Sequence, residues 1–133
     1  MLDTNVLLHF VNEAAGHLDI ERKMRLVRTD NMRLSTIGFT ELRHKILAGP
    51  GRVKKARLER LAAVVASIDV LPFYIDAAER AAQLMTLLKV SGKSNNWPDV
   101  MIAGHAAAAG HTLVTDDAAL LKTPGIRAVN WRT

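Results

Sequence analysis

Five acidic residues in four places stand where a strand would hand over to a helix. They are Asp3 in Leu2-Asp3-Thr4-Asn5-Val6, Glu41 six residues after Ser35, Asp99 in Trp97-Pro98-Asp99-Val100, and the pair Asp116-Asp117 after Leu113-Val114-Thr115. In a parallel α/β fold, the residues just past the carboxyl ends of the strands converge on one crevice. Carboxylates gathered there repel one another by roughly 4 kcal/mol per pair at 4 Å and an effective dielectric near 20. A cation relieves that repulsion, and an oxygen-only ligand set favours Mg²⁺ or Mn²⁺. The chain has no cysteine for a thiolate site, and no histidine has the spacing of a zinc site. The pattern points to hydrolysis at a metal centre, where the ion polarises the scissile bond and acidifies the attacking water.

Each acid also has a plainer explanation. Asp99 could simply favour a helix start, and Asp116 or Asp117 could cap the short helix that follows. Glu41 alone says almost nothing. Asp3 is harder to dismiss, because it interrupts the apolar run Met-Leu-Asp-Thr-Asn-Val-Leu-Leu. The joint pattern carries the argument.

The elements that must position these acids alternate. Apolar spacing predicts helices over Val6–Ala15, Leu18–Val27, Ile37–Leu47, Val53–Ser67, Ala77–Val90 and Val100–Ala109, with a short one near Leu120. Strands are expected at Met32–Ser35, Asp69–Phe73, Thr112–Val114 and Ala128–Trp131. Gly49-Pro50-Gly51 breaks one helix from the next, and Pro98 suits a first helical turn. Ser91 to Trp97 reads as a polar loop. The first strand has only Met1 and Leu2 before Asp3, so it is clipped or the natural start lies upstream. The expected architecture is α/β: a single domain over residues 1–133, three layers α/β/α, with a central parallel sheet of four to five strands.

Bulk composition narrows the partners. A 133-residue chain that is 49% hydrophobic can bury a core without disulfides and is not a disordered segment. No apolar run reaches membrane-spanning length, and the start lacks the features of a signal peptide. With no cysteine as well, the cytoplasm is the default compartment. Net charge is +5 and the sequence pI about 10.0. An acidic metal site in a basic protein suits a polyanionic substrate. Arg43, Lys45, Arg52, Lys54, Lys55 and Arg57 form the densest positive stretch, and some of them, among Arg43 to Lys55, are expected to meet nucleic-acid phosphates; a solvated helix face is the alternative. His9 and His105 fall on apolar helices and read as core residues, while Trp97 reads as a loop anchor or a base-stacking residue.

Taken in order, Leu2-Asp3-Thr4-Asn5-Val6-Leu7-Leu8, Ser35 to Glu41, Pro98-Asp99-Val100-Met101-Ile102-Ala103-Gly104-His105 and Leu113-Val114-Thr115-Asp116-Asp117 resemble a PIN-domain ribonuclease. The closer likeness is to the VapC-type toxins of bacterial toxin–antitoxin modules, and it covers nearly the whole chain. The resemblance implies an endoribonuclease that uses Mg²⁺ or Mn²⁺ on structured RNA, often tRNA. It also implies a homodimer and a cognate antitoxin that covers the active site. It makes Asp3, Glu41 and Asp99 metal-binding acids and selects Asp117 as the fourth, with Asp116 as its substitute. Asn5, Ser35 and Thr115 match polar positions that orient carboxylates or waters. The chain departs from the pattern in its short first strand, in Leu120 or Leu121 where an aromatic is common, and in Ser94-Asn95-Asn96-Trp97 before Asp99. Three other readings remain: a housekeeping PIN nuclease, a haloacid-dehalogenase-type phosphatase, and a non-enzymatic RNA- or protein-binding module. The phosphatase chemistry wants an acid where Asn5 stands, and the binding module needs none of these acids.

Overall fold

Most of the chain's apolar residues recur at helical spacing, and helices accordingly frame the molecule. A computed structural model describes residues 1–14, 16–90 and 97–132. Its helices are α1 (Thr4–Val11), α2 (His17–Val27), α3 (Thr36–Leu47), α4 (Gly51–Ser67), α5 (Ile75–Val90), α6 (Trp97–Ala108) and α7 (Ala118–Leu121). Its strands are β1 (Arg33–Ser35), β2 (Asp69–Leu71), β3 (Leu113–Val114) and β4 (Ala128–Val129). Among the described residues no helix is long and apolar enough to cross a membrane. The loop expected before Trp97 lies mostly outside the described residues, as does Ala15.

The strands pair in parallel, as helical crossovers require. β1 pairs with β2 in the register Leu34 to Val70, and β3 with β4 in the register Val114 to Val129. The assigned strands form two two-stranded sheets, so the sheet is small among the described residues, and the expected single sheet of four to five strands is not assigned as one. The segment Met1–Asp3 runs between the two pairs. Leu2 N–H donates to the Arg33 carbonyl at 2.9 Å, Val114 N–H donates to the Met1 carbonyl at 2.8 Å, and Asp3 N–H donates to the Val114 carbonyl at 2.9 Å. Leu2 itself forms one parallel bridge, to Val114.

Side-chain alternation along these short strands feeds two apolar cores. Leu2, Leu34 and Val114 pack with Val6 and Leu7 of α1, Leu42 and Ile46 of α3, and Leu61 of α4. Met1 and Leu113 point the other way, joining Leu84 and Leu88 of α5 and Val100, Ile102, Ala103 and Ala106 of α6. α5 and α6 lie very close together. A Cβ on Gly104 would stand 2.6 Å from the Ala81 backbone nitrogen and Cα, so only glycine fits there.

Helix boundaries shift where a side chain offers the backbone a partner. α1 begins at Thr4 rather than Val6, because Asp3 caps it. It stops at Val11, short of the expected Ala15. β2 stops at Leu71 rather than Phe73, whose N–H donates to the Thr36 hydroxyl at 3.2 Å. α6 begins at Trp97, three residues before the expected start at Val100, with Pro98 in its first turn.

Candidate active site

Asp3 sits at the end of the Met1–Asp3 segment, where the chain turns into α1, and is 1% exposed. Its Oδ1 accepts from Thr4 N–H at 2.8 Å, and its Oδ2 accepts from the Thr115 hydroxyl at 2.7 Å. Burial pushes its carboxyl pKa up to about 7; the Thr115 and Thr4 hydrogen bonds oppose the rise, and nearby Asp99 and Glu41 add to it. Asp3 therefore titrates near neutrality instead of holding a fixed charge.

Thr115, fully buried at the end of β3, ties the first acid to the last. While donating to Asp3, its oxygen accepts from Asp117 N–H at 3.1 Å. Asp117 then caps α7, its Oδ1 accepting from Ala119 N–H at 2.8 Å and Leu120 N–H at 3.2 Å. Asp116 takes another direction. Its Oδ2 accepts from Arg132 Nη1 at 2.7 Å and stands 3.8 Å from His9 Nε2.

Glu41 projects from α3, a turn and a half past the Ser35 cap, and its side chain is 12% exposed. Its Oε1 is buried without a hydrogen-bond partner among the described residues, and the Lys45 ammonium is 3.8 Å away. Asp99 is the third residue of α6, buried where the helix N-terminus favours an anion. Burial raises its pKa, Glu41 and Asp117 push it further up, Lys45 pulls it down, and Asp116 adds a smaller upward push. Asp3, Glu41, Asp99 and Asp117 thus share one electrostatic environment although they come from four separate elements.

The acids do not yet stand as a ligand cage: among the described residues, no three His, Asp or Glu side chains are in metal-holding geometry. Both oxygens of Asp3 and one of Asp117 are engaged in hydrogen bonds that a ligating carboxylate would exchange or share. The donor set nevertheless fits a hard divalent cation, being all oxygen and mutually repelling. The buried Glu41 Oε1 makes the same point, since a buried oxygen without a hydrogen bond costs free energy that Lys45 at 3.8 Å offsets only in part.

The polar residues expected to orient the acids divide. Thr115 touches two of them. Ser35 caps α3, accepting from Ile37 N–H at 3.1 Å, and lies 2.9 Å from His105 Nδ1. Asn5 is half-buried in the first turn of α1. Of the basic residues, Arg43, Lys45, Arg52 and Lys55 are exposed and Lys54 is half-buried. Lys45 alone among them is coupled to an acid of the cluster. His105 is a core residue, edge-on to Phe73 at 5.5 Å. His9 is not; it is half-buried beside Asp116. Trp97 is 69% exposed, and the loop it was expected to anchor lies outside the described residues. Sequence reasoning missed the Arg132–Asp116–His9 contact, which joins residues from both ends of the chain with no local pattern to betray it.

Comparison with known proteins gives a consistent picture. The PIN-domain family profile matches residues 1–126. A tRNA(fMet)-specific endonuclease VapC from Salmonella typhimurium is 31% identical, over 98% of this chain and 96% of that protein. A chain in the DNA-bound VapBC structure from Salmonella typhimurium superposes with a TM-score of 0.84 at 28% identity, over 98% of this chain and 96% of its own. A member of the VapBC family of toxin–antitoxin systems from Mycobacterium tuberculosis, VapBC-5, has a TM-score of 0.64 at 30% identity, over 72% and 79% of the two chains.

Proposed function

The chain belongs to the PIN-domain family, among its VapC ribonucleases, and from that premise we propose that it is an endoribonuclease toxin restrained by a cognate antitoxin. The observation that supports this best is the coupling of Asp3, Glu41 and Asp99, three acids from distant segments, with a buried Glu41 oxygen that has no hydrogen-bond partner among the described residues. Asp3, Glu41, Asp99 and Asp117 would hold Mg²⁺ or Mn²⁺. When bound, the cation supplies positive charge against the scissile phosphate and lowers the pKa of the attacking water.

The chain's own groups prepare the site. The Thr115 hydroxyl fixes the rotamer of Asp3 and, by accepting from Asp117 N–H, keeps the two acids in register. Lys45 offsets part of the charge on Glu41 and Asp99 before substrate arrives, and can then turn to a phosphate oxygen. Arg43, Arg52, Lys54 and Lys55, on α3 and α4, would hold the RNA backbone and position it without reading its sequence. A structured RNA, tRNA first, is the proposed substrate; the Salmonella relative's specificity supports that class. An antitoxin is the proposed regulatory partner, as the VapBC neighbours suggest. A second copy of this chain is proposed as well, since Ile75 and Leu87 of α5 leave apolar area exposed. The three-layer arrangement belongs to the same reading, with Met1–Asp3 joining the two strand pairs, and so does a cytoplasmic site of action.

Inducible expression of the parent and of Asp99→Asn, followed by sequencing of RNA 5′ ends, tests the proposal. Growth arrest with discrete cuts in the parent, and neither in the mutant, is the expected result. Equal cutting by both proteins would refute it.

A further inference from the structure

Two adjacent acids leave β3, and the structure treats them in opposite ways. Asp117 is bound into the cluster through Thr115, whose hydroxyl also holds Asp3. Asp116 is drawn toward the chain's far end by the Arg132 guanidinium at 2.7 Å, with His9 of α1 at 3.8 Å on the same oxygen. Arg132 is itself held in place. Its N–H donates to Asn130 Oδ1 at 2.8 Å, and its side chain crosses Gly16, where a Cβ would stand 3.2 Å from Nε. Gly16 has a φ of +89°, which favours glycine for a second reason. Its Nε is buried with no hydrogen-bond partner among the described residues, and among them Asp116 is the acid with which the guanidinium pairs.

We propose that Arg132 is a positioning residue: by pairing with Asp116 it keeps a fifth carboxylate out of the metal centre and leaves Asp117 as the acid that faces the cation. This rests on the metal-site reading above. It turns on charge count, because the affinity of an oxygen-ligand site follows the number of carboxylates that reach the ion. If Asp116 is released it can swing toward the cation, raising affinity while pulling the ion off the position that Asp3 and Asp99 define. Arg132 would thereby trade tight metal binding for correct placement.

The test is calorimetric titration of the full chain with Mn²⁺, with no RNA present. Arg132→Ala is expected to tighten Mn²⁺ binding about fivefold, and in an Asp116→Asn background to leave it within about twofold, as a coupled pair requires. Arg132→Gln keeps much of the side-chain packing over Gly16 without the charge, and is expected to give the same pattern should the alanine variant fold poorly. Equal tightening in both backgrounds would mean that the guanidinium acts only as a remote charge, and would overturn the proposal. No change in either background would overturn it too. Asp99→Asn is titrated alongside: if it binds Mn²⁺ as the parent does, the metal-site reading falls and this inference with it. If Asp99→Asn loses Mn²⁺ but the Arg132 variants match the parent, only the inference falls.

Discussion

Asp3 is the residue on which the chemistry and the stability of this protein pull in opposite directions. Its pKa of about 7, against an ordinary 3.8, means that the folded chain holds a proton there which the unfolded chain has released. Stability then falls as pH rises from about 4 to about 7, because over that window the folded state binds more protons than the unfolded. The metal-free protein should therefore show a Tm that declines through this range for Asp3's part, and Asp3→Asn should flatten the decline. At pH 8 the variant is expected to melt higher than the parent by an amount worth roughly 1–3 kcal/mol, a discounted share of the shift. It should nonetheless lose Mn²⁺ binding. A variant that melts lower than the parent at pH 8 would show that the ionised carboxylate stabilises the fold. The same proton competes with the cation, so Mn²⁺ affinity should drop as pH falls below about 7, approaching tenfold per unit for one displaced proton. Calorimetry at pH 6, 7 and 8 measures it. Thr115→Val removes a buried hydroxyl that donates to Asp3, and a hydrogen bond of that kind is worth about 0.5–1.5 kcal/mol net. Its loss should lower both Tm and cleavage rate, since Asp3 and Asp117 would no longer share a tether.

At the scale of the elements, the site depends on how closely α6 can approach α5. Gly104→Ala would drive a Cβ to 2.6 Å from the Ala81 backbone, and a backbone atom cannot step aside as a flexible side chain can. Overpacking of this kind costs about 1–3 kcal/mol, and because Asp99 rides on the same helix, RNA cleavage should fall together with Tm. A variant with parent-like Tm and activity would mean that the two helices separate freely. The elements also show where sequence legibility begins and ends. The placement of three acids was readable because each is a local event: Asp3 and Asp117 are caps, and Asp99 belongs to a first helical turn. α2, α3 and α5 were likewise readable from apolar periodicity to within one or two residues at each end. The pairing of the strands was not, because strands of two or three residues carry too little alternation to reveal it. Nor was the turn of Ser35 toward His105, two residues 70 apart in the chain. Such contacts are decided by packing between elements, and no spacing within one element reports them.

For the whole molecule, the relevant quantity is a net charge of +5 carried around an acidic centre. The positive residues of α3 and α4 would draw a polyanion in, and the acids would deny it full contact until a cation intervenes. Lys54→Ala with Lys55→Ala should weaken RNA binding and flatten its dependence on salt by about two phosphate contacts' worth of released counterions. An unchanged salt slope would return those lysines to the role of a solvated face. All of this presumes that segments more than a hundred residues apart in the chain, those holding Asp3 and Asp117, build one centre together. The most direct measurement is a crystal structure of the protein soaked in Mn²⁺, with the ion located by its anomalous scattering. We predict a peak within ligand distance, about 2.2 Å, of oxygens from Asp3, Asp99 and at least one of Glu41 and Asp117. A saturating soak that leaves the cluster empty, or that puts the ion elsewhere on the surface, would contradict the account.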